Sequence, residues 1–232
     1  MRPRGGQGAP RRPAGPHRDG GRGGLRGLFI AFEGPDGSGK SSVAEMCFRR
    51  LSGMGIPALK VREPGGTPFG ERVREILLSH SSELEPWAEL FLFMAARAQL
   101  CRKVIAPALE RGETVLCDRF LWSSAAYQGA GLELGVENVL EVGRHATGGL
   151  EPDLYVVLDV PPDIGFRRRS EYLDRIEARD VGFFERVREA YRTLAETHAD
   201  RARRVDGSPP LDEVFAKVWR EVEDVLRRRQ RA

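Results

Sequence analysis

Residues Gly34, Pro35, Asp36, Gly37, Ser38, Gly39, Lys40 and Ser41 read G-x-x-x-x-G-K-S, directly after the apolar run Leu28-Phe-Ile-Ala-Phe32. A buried strand, a glycine turn and a helix starting near Gly39 make this spacing a phosphate-binding loop. Its glycines let consecutive backbone N–H groups converge on phosphate oxygens, and the helix adds its positive end. Lys40 can reach the terminal phosphates of a nucleoside triphosphate, Ser41 can ligate Mg²⁺, and Ser42 continues the first turn. The competing reading, a glycine-rich turn that happens to hold Lys-Ser, does not account for the strand and helix signals flanking it.

Other candidates stand where apolar runs end. Arg62-Glu63-Pro64-Gly65-Gly66-Thr67 follows one run and Asp118-Arg119 another. An acid ending a buried strand beside a phosphate loop suits a Walker-B role, holding Mg²⁺ directly or through water. Arg119 can fork onto a phosphate. Each pair taken alone also reads as a strand-end salt bridge. Phe93 and Arg97, four residues apart on one helical face, could stack a base and hydrogen-bond its edge; equally, they could be a core Phe beside a snorkelling Arg. Ser123, Ser124, Tyr127 and Gln128 form a polar patch after Asp118-Arg119, with Ser124 and Gln128 sharing a face. Between Gly165 and Arg175 lie four arginines, Arg167, Arg168, Arg169 and Arg175. They read as a solvated basic face, or as mobile cations that close over a transferring phosphoryl group. Gly37 leaves the phosphate loop without a cation besides Lys40, so any further arginine must come from elsewhere.

These residues need a frame. β-rich runs fall at 28–33, 57–61, 114–117, 154–159 and 202–205. Helical patterns lie at 39–52, 70–79, 87–110, 121–128, 136–147, 181–199 and 211–229. Alternation of this kind predicts an α/β fold with right-handed crossovers and a mainly parallel five-stranded sheet covered by helices on both faces. Ligands then sit at the carboxyl ends of the strands, where the candidates cluster.

Composition sets outer limits. The 232 residues fit one large domain, or one domain with appendages. Residues 1–26 hold seven arginines against Asp19 alone, a net of +6, which leaves −3 for the rest of a chain totalling +3. This Gly/Pro/Arg-rich stretch lacks periodicity and reads as a disordered tail ahead of a domain spanning 27–232. Binding of nucleic acid by the tail is possible in charge terms but not favoured, since no aromatics interleave the arginines. Cys47, Cys101 and Cys117 have no metal-type spacing, and with no long apolar run they point to a reduced, cytoplasmic protein.

From Phe29 to about Arg229 the chain resembles the bacterial thymidylate kinases. The resemblance rests on Phe-Glu-Gly-Pro-Asp-Gly-Ser-Gly-Lys-Ser (32–41), Arg-Glu-Pro-Gly-Gly-Thr (62–67) and Leu-Phe-Met-Ala-Ala-Arg (92–97). It extends through Asp-Arg-Phe-x-x-Ser-Ser-x-x-Tyr-Gln-Gly (118–129), Pro-Asp-Leu (152–154) and Leu-Asp-Arg-Ile-Glu (173–177). It implies a P-loop NTPase fold with a short lid at about 165–178, a homodimer, and Mg²⁺-dependent transfer from ATP to dTMP on the way to dTTP. Residues 34–42 would bind ATP. Phe93 would stack on thymine, with Arg97, Ser123, Ser124 and Gln128 around it and Tyr127 excluding a ribose 2′-hydroxyl. Arg74 and Arg119 would hold the acceptor phosphate near Glu63, and Asp36 would approach the sugar 3′-hydroxyl. Ser41 and Asp118 would serve the metal. Lys40, Arg119, Asp36 and Arg168 would form the catalytic set, with Arg168 closing on the transferred group. The loop 206–209 would wall the adenine. Phe120 stands where Tyr often follows Asp-Arg. A kinase of the same fold with another acceptor, or a silent nucleotide-binding protein, are the alternatives.

Overall fold

The computed structural model describes residues 26–168 and 172–231. The stretch expected as a disordered tail lies outside them except for its last residue, and Arg169 also lies outside. Arg26 contacts the domain that follows it. Its guanidinium donates to both carboxylate oxygens of Asp153 at 3.1 Å, and Gly27 N–H donates to Leu109 O at 2.7 Å. The folded body therefore includes Arg26.

Five strands form one sheet: β1 (Phe29–Glu33), β2 (Ala58–Arg62), β3 (Thr114–Asp118), β4 (Leu154–Asp159) and β5 (Ala202–Asp206). Their order is β2-β3-β1-β4-β5, and every neighbouring pair is parallel. Side-chain alternation splits the core in two. Ile30, Phe32, Leu116, Val156 and Leu158 face one layer of helices, while Phe29, Ala31, Val115, Cys117 and Val157 face the other. Both faces are apolar because both are covered.

Nine α-helical segments complete the described residues: α1 (Lys40–Gly53), α2 (Pro68–Leu78), α3 (Pro86–Leu100), α4 (Ala106–Glu110), α5 (Leu121–Ser124), α6 (Val136–Thr147), α7 (Pro162–Arg167), α8 (Val181–Thr197) and α9 (Leu211–Arg231). Helices α1 and α9 cover the first face through Val43, Cys47, Leu51, Val214 and Val218. Helices α3, α5, α6 and α8 cover the second. Local chemistry sets several starts. Thr67 caps α2 by accepting from Gly70 N–H at 2.9 Å, ahead of Pro68, and Asp180 caps α8 through Phe183 N–H at 2.9 Å.

Two wide, π-type segments were not legible as such. Cys101–Ile105 joins α3 to α4, so the expected helix 87–110 is one continuous rod. Ala125–Gly131 extends α5 three residues past its expected end. The six-residue α7 was not expected either, because its span reads as the start of an arginine-rich lid.

Register aligns the strand ends. Arg62 of β2 pairs with Asp118 of β3, which pairs with Phe32 of β1. Glu63 N–H donates to Asp118 O at 3.0 Å, and Arg119 N–H to Phe32 O at 2.9 Å. Glu63, Arg119 and the phosphate loop thus emerge side by side at one edge of the sheet.

Candidate active site

The phosphate loop turns through residues of positive φ, among them Gly37 at 75° and Gly39 at 90°, and Gly39 delivers the chain into α1. Lys40 is buried, and its ammonium donates to Pro35 O at 2.7 Å. Burial, reinforced by the positive charge of Arg119, lowers the Lys40 pKa to about 8. A Cβ on Gly37 would stand 2.2 Å from the carbonyl oxygen of Gly165 in α7. The missing side chain at position 37 is therefore space for the lid helix, which rests on the loop backbone.

The Ser41 hydroxyl lies 2.5 Å from Asp118 Oδ2. Two hard oxygens, one at a helix start and one at a strand end, fit Mg²⁺, which takes few protein ligands and completes its shell with phosphate and water. No cluster of three or more acid, His or Cys side chains able to hold a metal occurs among the described residues. Ser41 and Asp118 accordingly fit an ion shared with phosphate oxygens.

Arg119 joins the loop to the neighbouring helix. It has a positive φ of 69°, unusual for a side-chain-bearing residue. Its guanidinium pairs with Asp36 and donates to Gly34 O, the Ser123 hydroxyl and the Tyr127 hydroxyl, each of the last three at 3.3 Å. It also lies 5.0 Å from the centre of the Tyr127 ring. Tyr127 in turn donates to Asp36 Oδ2 at 2.7 Å. Behind this group lies Glu33, fully buried and absent from the sequence-based set. Its carboxylate accepts from Phe120 N–H at 3.0 Å and the Ser123 hydroxyl at 2.6 Å. Burial raises the Glu33 pKa, and the Ser123 bond partly offsets the rise.

A cavity of about 620 Å³ runs from the loop residues 36–42 to Phe93, Arg97, Ser124 and Gln128. Arg97 does not snorkel. It is 1% exposed, and donates to Glu63 Oε2 at 2.6 Å, Phe120 O at 3.1 Å and Met94 Sδ at 3.2 Å. Burial pushes the Glu63 carboxyl up to about 7 against the pull of Arg97. Glu63 Oε1 and Ser124 Oγ are buried without a hydrogen-bond partner, and both residues line the cavity. Leaving such an atom unpaired costs about 1–3 kcal/mol, so a polar ligand edge there would relieve it. Arg74 reaches Pro64 O at 3.2 Å and lines the same space.

The described residues on either side of 169–171, in the segment expected as a lid, contact the body. Arg168 was expected over the transferred phosphoryl group. The structure instead places its guanidinium on the loop after β5, donating to Gly207 O at 2.7 Å and Ser208 O at 2.6 Å. Those carbonyls satisfy the fork and hold it at the wall formed by Gly207, Pro209 and Pro210. Arg167 is exposed and paired with Asp163 at 2.9 Å. The far leg of the lid docks on the body: Arg175 donates to Leu77 O at 3.1 Å, and Arg175 and Arg179 both reach Glu89 of α3, at 2.8 and 2.9 Å. Glu89 is fully buried and also accepts from Gln128 Nε2 at 2.8 Å. Neither Glu89 nor Arg179 was among the residues singled out from the sequence.

The parallel sheet, the phosphate loop and the cavity that extends from it to Phe93 and Gln128 define a P-loop phosphotransferase. The family model for thymidylate kinase matches residues 32–218. The chain is 45% identical to the thymidylate kinase of Deinococcus radiodurans over 86% of its own length and 98% of that protein. It is also 45% identical to that of Bordetella pertussis over 87% and 97% of the two chains. The crystal structure of thymidylate kinase from Ehrlichia chaffeensis superposes with a TM-score of 0.70 at 28% identity, covering 85% of this chain and 99% of that one. The chain belongs to the thymidylate kinase family.

A pH dependence follows from Lys40. Its depressed pKa means that the amine loses its charge above about pH 8 in the free enzyme, whereas bound phosphates restore it. We expect kcat/KM for ATP, which reports the free enzyme, to fall above about pH 8, with the limb in kcat displaced to higher pH. Measured profiles in which both limbs coincide would contradict this.

Proposed function

We infer that the chain phosphorylates dTMP to dTDP with ATP, and that the observation carrying this reading is a single cavity with a phosphate loop at one end and a stacking ring with an unpartnered polar rim at the other. The acceptor is itself a phosphate anion, so no strong general base is required. Catalysis is positioning and charge neutralisation. Lys40 and the loop N–H groups hold the donor phosphates. Arg119 and Arg74 receive the acceptor phosphate, with Glu63 near it. Asp36 sets the direction of Arg119 and faces the sugar 3′-hydroxyl, and Tyr127 fills the place of a 2′-hydroxyl. Mg²⁺ held by Ser41 and Asp118 would supply charge to the donor phosphate oxygens. Phe93 stacks on the base, and Arg97, Ser123, Ser124 and Gln128 line its polar edge. Arg168 braces the adenine wall through the Gly207 and Ser208 carbonyls.

A coupled ADP-release assay across dTMP, dUMP, dCMP, AMP and thymidine tests the acceptor, and preference for anything but dTMP overturns it. Run on Arg168→Ala, the same assay should show KM for ATP raised by about tenfold, equivalent to roughly 1.4 kcal/mol of binding, with kcat little changed. A collapse of kcat at unchanged KM would return Arg168 to the transferred phosphoryl group.

A homodimer belongs to the same reading. It is supported by an apolar patch on α2 and α3, where Phe69, Ile76, Trp87 and Phe91 are 39%, 46%, 42% and 54% exposed. Light scattering should give a mass near twice 25.8 kDa, falling to one chain in Phe91→Asp; a monomeric native protein would refute it. A reducing, cytoplasmic setting is supported by three free, buried thiols, Cys47, Cys101 and Cys117, and no helix among the described residues is long and apolar enough to cross a membrane.

A further inference from the structure

Glu89 is a fully buried carboxylate with no place in the phosphoryl transfer, yet three side chains from two separate regions converge on it. Gln128 donates its Nε2 to Oε1 at 2.8 Å, while Arg175 and Arg179 of the lid leg donate to Oε2 at 2.8 and 2.9 Å. We propose that Glu89 is a positioning residue that fixes the polarity Gln128 offers to the base, and ties that choice to the docked lid. The proposal rests on the reading above, in which the base edge lies against Gln128.

Donors and acceptors decide which way the Gln128 amide faces. A carboxylate can only accept, so the amide nitrogen of Gln128 must face it and the amide oxygen must turn away. Gln128 lines the cavity, which makes that oxygen the atom presented to a ligand. Arg97 has five N–H groups, of which three are engaged by Glu63, Met94 and Phe120, leaving donors only. A rim that pairs an acceptor at Gln128 with a donor at Arg97 matches the imide N3–H and O4 of thymine or uracil. It opposes cytosine at both positions, since cytosine offers an acceptor at N3 and a donor at its 4-amino group. Reversing the Gln128 amide would set its oxygen against a carboxylate oxygen, so the selection is enforced from behind the residue that touches the base. The two arginines hold Glu89 Oε2 from the other side and so fix the direction of the carboxylate.

The test compares kcat/KM for dTMP and dCMP in the wild type and in Glu89→Gln. An amide at 89 can donate or accept, so the Gln128 side chain is free to turn. The dTMP-to-dCMP ratio should fall by about tenfold or more, since pairing of buried polar groups is what rejects the wrong base. A folded Glu89→Gln protein with an unchanged ratio overturns the proposal. A wild type inactive on dTMP would instead overturn the substrate reading, and is seen separately. Should Glu89→Gln not fold, Arg179→Gln, which removes a donor to Glu89 Oε2, should lower the same ratio, and an unchanged ratio overturns the proposal. The acceptor at Gln128 is checked separately in the wild type. At saturating ATP, where bound phosphates keep Lys40 charged, the wild-type kcat/KM for 5-bromo-dUMP, whose imide proton is more acidic, should fall as that proton is lost while the value for dTMP stays level over the same pH range. Parallel profiles for the two substrates overturn the acceptor assignment.

Discussion

The site depends on where Arg119 is held. Its backbone adopts a positive φ that a side chain ordinarily avoids, and it does so because β3 ends in register with β1 and Arg119 N–H is taken by Phe32 O. From that position one guanidinium reaches the phosphate loop at Gly34 and Asp36 and the opposing helix at Ser123 and Tyr127. A planar, permanently charged fork is the side chain suited to span both. Glu33, buried beneath it, orders the same region by binding Phe120 N–H and the Ser123 hydroxyl. Arg119 thereby ties the phosphate loop to the helix on the other side of the cavity.

The lid is arranged around the same loop. Gly37 has no side chain because Gly165 lies against it, so the loop and α7 form one contact surface. One end of the lid is pinned by Arg168 to the loop after β5, and the other by Arg175 and Arg179 to Glu89. Phe120 closes the base of this assembly: it packs edge-on to Phe29 at 5.0 Å and lies under the Arg97 guanidinium at 5.7 Å. Its lack of a hydroxyl therefore bears on packing between the sheet and the base pocket.

Much of this was legible because the signals are local. Strands 28–33, 57–61, 114–117, 154–159 and 202–205 fall within a residue of those observed, since short apolar runs bounded by turns carry their own evidence. The phosphate loop and the Ser41–Asp118 pair follow from motif and strand-end position. What escaped depends on distance in the chain. Glu33 and Glu89 become meaningful only when residues 90 and 39 positions away turn toward them. The contacts of Arg168 were also hidden, because nothing in its neighbourhood shows the Gly207 and Ser208 carbonyls it donates to. The wide turns at Ala125–Gly131 leave no compositional trace and are set by packing.

Asp36 and Arg119 are paired and act as one unit linking the two ends of the cavity. The direct measurement is a double-mutant cycle on kcat/KM for dTMP, using Asp36→Ala, Arg119→Ala and the pair together. If the two form a unit, the double variant should lose no more than the poorer single variant. Losses that multiply would show that each residue acts alone, and the account would fail.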